Sequence, residues 1–282
     1  SGTINTIEKY KYSNDSVTNG SNLLIGRYGH SAIGNAVVGI FTGGYDNING
    51  FIDTSEKYTY INDLVTSTTS LIMIRYLFGA VSNSTMGIIN GGMSYGGYAL
   101  DSSEKYIFAN DSIFWATSFQ VACIENNAIA NSSIGIFSGG FDINWGITNN
   151  SEKYTFANDS VAAATFLITA RASHVGISSD LIGIFLGGYI NDGWTSISSC
   201  EKYTFANNSI SPTTSLSVAR VNPPATSNGL VGIINGGWYY DGGGSMVAIT
   251  GSEKYTFAND SIVPCTSLSV SKMYGAACTG GL

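Results

Sequence analysis

Residues 135–171 read GIFSGGFDINWGITNNSEKYTFANDSVAAATFLITAR, and most of the chain is built from copies of this stretch. The tripeptide Glu-Lys-Tyr begins at positions 8, 56, 104, 152, 201 and 253. Gly-Gly closes an apolar run at 43–44, 91–92, 139–140, 187–188 and 236–237. From the Tyr to the next Gly-Gly the distance is 33 residues in all five cases. From Gly-Gly to the next Glu it is 13, 13, 13, 14 and 17. Length varies between these landmarks in one segment only. A fixed period of this size marks a repeat architecture.

Each unit holds four short extended runs, here lettered A to D. In the first full unit they are about Tyr28–Gly34, Val37–Thr42, Thr54–Tyr60 and Val65–Ile72. Apolar runs of this length, broken by Asn, Asp, Ser and Gly, predict strands joined by tight turns. Abundant Thr, Ser, Asn and β-branched residues disfavour helix. Four strands per unit, repeated six times, predict an all-β propeller of six four-stranded blades, with residues 1–282 as one domain. Runs C and D occur six times, and a sixth run A lies near Tyr274–Thr279, but run B occurs only five times. The sixth blade is therefore expected to be shared between the two ends of the chain, and either to lack its B strand or to draw it from residues beyond Leu282.

The order apolar-run, Gly-Gly, variable loop, Glu-Lys-Tyr, turn, apolar residue, Arg resembles the kelch repeat. Val17, Val65, Ile113, Val161, Ile210 and Ile262 stand where that repeat carries Trp. The EKYTFAND copies are also similar to repeats of bacterial and phage kelch-like proteins. The resemblance implies a propeller. It also implies a cell-surface or virion setting, such as an adhesin or a tail-associated receptor binder.

Composition removes several classes of function. The chain has 12 Lys and Arg against 19 Asp and Glu, a net charge of −7, so nothing favours phosphate backbones or nucleic acid. No apolar run approaches the roughly 20 residues of a membrane-spanning helix. The opening SGTINTIEKY has neither a basic region nor an apolar one of the secretory type. Four cysteines without a CxxC pair and two isolated histidines supply no metal site, and no cofactor is expected. Copper radical oxidases of kelch-like fold need His ligands, and His30 and His174 fall in different repeats.

Seventeen residues after each repeat Tyr come Arg27, Arg75, Cys123, Arg171, Arg220 and Lys272. An acid and a base that recur with the period of the fold predict structural ion pairs. Their acids are Glu8, Glu56, Glu152, Glu201 and Glu253, and with Cys123 where the third unit's Arg is expected, Glu104 must be satisfied differently. The Asn-Asp pairs at 14–15, 62–63, 110–111, 158–159 and 259–260 read as hairpin turns. The variable B–C loops hold the candidate ligand site: Trp145, Trp194, Trp238, Tyr239 and Tyr240, with Asp142, Asp192 and Asp241. Aromatic faces beside Asp and Gly suit sugar rings and their hydroxyls, and variable loops on a rigid scaffold are where binding concentrates.

The leading expectation is a non-catalytic recognition module for a glycan or protein ligand. The alternatives are a structural spacer in a larger assembly and, less favoured, a propeller enzyme acting on sugars. An enzyme would need unrepeated acids or bases in the central channel, and Glu125 and His174 are the main candidates.

Overall fold

The computed structural model describes residues 3–190, 195–242, 245–269 and 272–279. Five four-stranded antiparallel sheets follow one another along the chain. In the first, Ser31–Gly34, Val38–Thr42, Ser55–Thr59 and Leu64–Thr68 occupy positions A to D in that order. The other four repeat it, as in the third blade, Asn127–Ala130, Ile134–Ser138, Ser151–Thr155 and Ser160–Ala163. No helix occurs among the described residues. The molecule is a β-propeller, with the A strands innermost and neighbouring around the axis.

The expectation of six four-stranded blades is corrected to five. At the sixth position the N-terminal run forms a two-stranded hairpin, Glu8–Lys11 with Ser16–Asn19. The run Tyr274–Thr279 lies on the inner side without forming a strand. Among the described residues no B strand bridges the two, so they do not join into one sheet. The ring is nevertheless continuous through this position. Gly29 N donates to Tyr274 O at 3.0 Å, and Thr279 Oγ1 meets Thr226 Oγ1 at 2.6 Å.

The alternation within strand C sets the packing. Glu56 and Tyr58 point into the blade while Lys57 lies at the partly exposed side, and the third blade repeats this with Glu152, Tyr154 and Lys153. The B strands supply Ile40, Ile88, Ile136, Ile184 and Ile233, all fully buried between blades.

The Asn-Asp turns do more than reverse the chain. Asp63, Asp111, Asp159, Asn208 and Asp260 adopt left-handed φ of 54–58°, which Asn and Asp tolerate best among residues with a Cβ. Each accepts a hydrogen bond from the Tyr five residues before it, as Tyr106 to Asp111 at 2.6 Å and Tyr154 to Asp159 at 2.7 Å. The same carboxylates receive a Lys from the preceding blade: Lys57 to Asp111, Lys105 to Asp159 at 2.8 Å and Lys202 to Asp260 at 2.5 Å. Lys254 reaches Asp15 of the hairpin at 3.4 Å, and Lys9 of the hairpin reaches Asp63 at 2.9 Å. These half-exposed pairs contribute little each, but they stitch successive blades, the sixth position included.

Candidate functional site

Arginine and glutamate form the frame beneath the loop face. Arg27 pairs with Glu56 at 2.6 Å, Arg75 with Glu104 at 2.9 Å, Arg171 with Glu201 at 2.7 Å and Arg220 with Glu253 at 3.0 Å. All eight side chains are buried. Each guanidinium also donates to two carbonyls of its own blade, for Arg171 those of Gly187 at 2.9 Å and Ser199 at 2.8 Å. The pairs lie within a blade and pin its entry segment to strand C. Glu8 meets Lys272 at 3.3 Å. Glu152, facing Cys123, has no cation and is held by the N–H groups of Gln120 and Val121 at 2.9 and 3.2 Å. Glu104, at which the sequence reading set no arginine, is paired by Arg75, because the base belongs to the unit that follows it.

Gly-Gly has a steric cause. Gly139 and Gly140 have φ of 64° and 92°, and a Cβ on Gly139 would fall 2.4 Å from the Arg171 carbonyl oxygen. The N–H of Gly140 donates to that same carbonyl at 2.9 Å. The pair thus lays the chain against the entry segment of the next blade at a separation only glycine permits.

The residue after Gly-Gly then bridges back to the segment that enters its own blade's inner strand: Tyr45 with Tyr28, Phe141 with Ile124, Tyr189 with Ala172 and Trp238 with Val221. This places several loop aromatics at the axis. Trp238 is 2% exposed, packed against Tyr240 and Tyr274. Its ring is therefore part of an apolar floor and not a presented contact, contrary to the sequence expectation. Tyr239 and Tyr240 are half-buried in a small hairpin, Trp238–Tyr240 with Met246–Ala248. Trp145 is 58% exposed, as the expectation required. Trp194 and Asp192 lie outside the described residues. Asp142 and Asp241 shape their own loops: Asp142 Oδ1 accepts from the N–H groups of Asn144 and Gly146 at 2.8 and 3.0 Å, and Asp241 Oδ1 from Ser245 at 3.1 Å. They set the presentation of the loop.

Inside this floor lies a ring that the repeat analysis did not isolate. Gly29, Leu77, Glu125, Ser173, Asn222 and Tyr274 share one repeat position, two residues beyond the Arg position. All have left-handed φ, 47–61°. Leu77 N donates to Gly29 O, Glu125 N to Leu77 O, Ser173 N to Glu125 O and Asn222 N to Ser173 O, at 2.8–3.1 Å. With the bond from Gly29 to Tyr274, five hydrogen bonds run around the axis. Left-handed non-glycine residues cost about 1–2 kcal/mol each, and strain of this kind gathers at functional positions. The backbone is uniform, whereas the side chains are all different.

Glu125 is the acid of this ring. Its carboxylate accepts from Ser173 Oγ and from Tyr189 Oη at 3.0 Å. Burial raises its pKa, and those two hydrogen bonds oppose the rise without cancelling it. Burial and the charge of Glu125 push the Tyr189 phenol up, and the Tyr274 phenol to about 12. Beneath it a cavity of about 130 Å³ runs between the inner strands, lined by His30, Asn126 and His174 among others. Burial, reinforced by Arg27 and Arg171 respectively, lowers both histidines to about 3, so both are neutral at pH 7. Among the described residues no group of three His, Cys, Asp or Glu could hold a metal ion.

No protein-family model and no curated protein sequence matches the chain. Among solved structures it is similar to one described as "Structure of YjhT", with a TM-score of 0.78 at 10% identity. The alignment covers 89% of this chain and 87% of that one, and at this identity the likeness is one of fold.

Proposed function

We propose that the protein is a non-catalytic recognition module whose B–C loop face engages a glycan. The observation that carries this reading is the contrast within each unit. The blade is repeated almost unchanged, and the B–C loops present unlike exposed aromatics, with Tyr95, Tyr98 and Trp145 77%, 75% and 58% exposed, the most exposed aromatic side chains among the described residues. A ring built of like units needs like blades, but a recognition surface needs unlike loops. Exposed aromatic rings stack on the apolar faces of sugars, and the turn-fixed Asp142 loop pre-orders one of them, which reduces the entropy lost on binding. The low charge supports an affinity with little salt dependence. The similarity to bacterial and phage repeats supports a cell-surface or virion setting. A glycan array probed with the wild-type chain and with Trp145→Ala tests the reading. Capture of a defined glycan, lost in the variant at unchanged thermal stability, is the expected result. Absence of any glycan capture, or capture indifferent to Trp145 and to a Tyr95→Ala, Tyr98→Ala double variant, overturns it in favour of a protein ligand or a spacer.

One observation favours a second reading, a sugar-acting enzyme. Glu125 and Tyr189 form an unrepeated acid–phenol pair at the axis, and burial raises the Glu125 carboxyl, as general acid–base catalysis calls for. Turnover of reducing sugars followed by NMR, abolished in Glu125→Gln, distinguishes it from binding alone.

A further inference from the structure

In every complete blade the B strand lies between A and C in one register. Gly39 faces Tyr58 and Phe41 faces Glu56, and Gly135 faces Tyr154 and Phe137 faces Glu152. At the sixth position the matching C strand, Glu8–Lys11, pairs only with Ser16–Asn19. Its other edge bounds a cleft of about 1050 Å³, whose far wall is the inner run through Ala276, Ala277 and Cys278. Tyr10, Tyr12, Leu23, Phe41 and Thr226 also line it. The hairpin has the C and D sequence of a complete blade but lacks some of its contacts. Tyr10 Oη and Asp15 Oδ1 have no partner among the described residues, although the equivalent Tyr and turn residue are bonded in all five blades.

We propose that this cleft is a receptor for an extended peptide carrying the repeat's own B motif: aliphatic, Gly, Ile, Phe or Ile, one variable residue, Gly-Gly. The peptide adds antiparallel to Glu8–Lys11. Such strand addition draws affinity from main-chain hydrogen bonds and specificity from the alternating side-chain positions. The open edge of a sheet is the natural template for it.

The selectivity is readable from the complete blades. The residue facing the C-strand Tyr must be Gly. A Cβ at Gly87 would fall 2.3 Å from Ile33 of the neighbouring inner strand, and one at Gly183 2.2 Å from Ile129. In the first blade the neighbour is the smaller Cys278, and the phenol of Tyr60 closes the remaining space: a Cβ at Gly39 would lie 2.4 Å from Cys278 Sγ and 2.9 Å from Tyr60 Oη. Thr226 and Tyr12 hold those two repeat positions at the cleft, already joined through Tyr12 Oη to Thr226 Oγ1 at 3.5 Å. The next residue is Ile in all five blades and fully buried. The terminal Gly-Gly has its acceptor in the Arg27 carbonyl, the counterpart of the Arg75 carbonyl that receives Gly44 N at 2.8 Å.

The source of the strand follows from the pairing. All five B strands of the ring are paired on both edges. None can fill the cleft without opening its own blade, and the same holds for a second copy of the ring. The occupant is a polypeptide segment that bears the motif outside these five strands.

The test uses the 282-residue chain and a synthetic peptide, VVGIFTGG, the sequence of residues 37–44. The expected result is a saturable rise of the melting midpoint with peptide concentration and new hydrogen-exchange protection of the Glu8–Lys11 amides. The peptide with its first Gly replaced by Val should produce neither. A Thr226→Phe chain, its cleft filled, should melt cooperatively and ignore the peptide. No saturable rise, an equal rise with the Val peptide, or an edge already protected in a dimer of the free chain would each overturn the proposal.

Discussion

The third and fourth blades carry the same Glu-Lys-Tyr strand in the same register and differ beneath it at one repeat position. Glu152 faces Phe137 across the ladder, as Glu201 faces Phe185. Both carboxylates accept two consecutive N–H groups of the entry segment, from Gln120 and Val121 in one blade and from Ile168 and Thr169 in the other. Only Glu201 also receives an arginine. The backbone donors are therefore sufficient to place the acid, and the guanidinium is an added clamp on the Gly187 and Ser199 carbonyls. The difference reaches the chemistry. Without a cation beside it, Glu152 is raised by burial against the pull of its two N–H donors, and burial together with Glu152 pushes the Cys123 thiol up to about 12.

The largest test breaks the clamp where it exists. Arg171→Ala should destabilise the protein by about 3–5 kcal/mol, because a buried carboxylate is left without its cation. The Gly187 carbonyl also loses its donor, and the Ser199 carbonyl one of its two. Urea unfolding at pH 7 reads this. A loss within about 1 kcal/mol would mean that the fourth blade is held like the third, by its N–H groups alone.

Acid sharpens the comparison from another side. His174 enters the fourth blade where the third has Asn126. Its folded pKa, near 3, lies below the ordinary 6.5. The unfolded chain thus binds the extra proton between those values, and stability falls as pH drops through that window. Wild type should lose a few kcal/mol between pH 6.5 and 3 from His174, with a like amount from His30. His174→Phe should flatten the pH dependence of urea midpoints by about half of the histidine contribution.

A smaller difference separates the two glutamates. Glu201→Gln and Glu152→Gln each leave one entry-segment N–H facing an amide NH2, but only Glu201→Gln also strands the Arg171 guanidinium, so the first should cost about 2 kcal/mol more than the second. Sign also differs with pH. The raised Glu152 carboxyl penalises the folded state increasingly as pH climbs from the ordinary carboxylate range through its folded value. Glu152→Gln should therefore remove a loss of stability with rising pH, measurable by melting midpoints from pH 4 to 7. Equal costs for the two variants would show that the arginine clamp acts on carbonyls only. The smallest effect belongs to the loop face: Trp145→Ala should shift stability by no more than about 0.5 kcal/mol. A larger loss would make Trp145 a packing element like Trp238.

The unit, its four strands and its turns were legible because they rest on local rules. Glycine alone permits the close approach of Gly-Gly to the next blade, Asn and Asp accept the left-handed turn, and alternation selects the buried face of strand C. The Arg–Glu pairs were legible as well, since a shared period joins residues about 30 apart in the chain. The lysine–aspartate stitching between blades was hidden, because the aspartates already had a local reading as turns and nothing near the lysines in the chain names their partner.

Sequence by itself thus determined the blade, its repetition and the variable loops, each a matter of neighbours within one period. Only the tertiary structure decided which aromatics face solvent: Trp238, directly after Gly-Gly, bridges to Val221 and packs on Tyr240 and Tyr274, whereas Trp145, further along its loop, stands 58% exposed. It alone gathered Leu77, Glu125, Ser173, Asn222 and Tyr274 onto one axis, where ring closure brings residues from five repeats into sequential hydrogen-bond contact. It also decided that the sixth position is a hairpin beside an open cleft, because a four-stranded sheet needs a strand between the inner run and the hairpin, and pairing has already consumed all five copies.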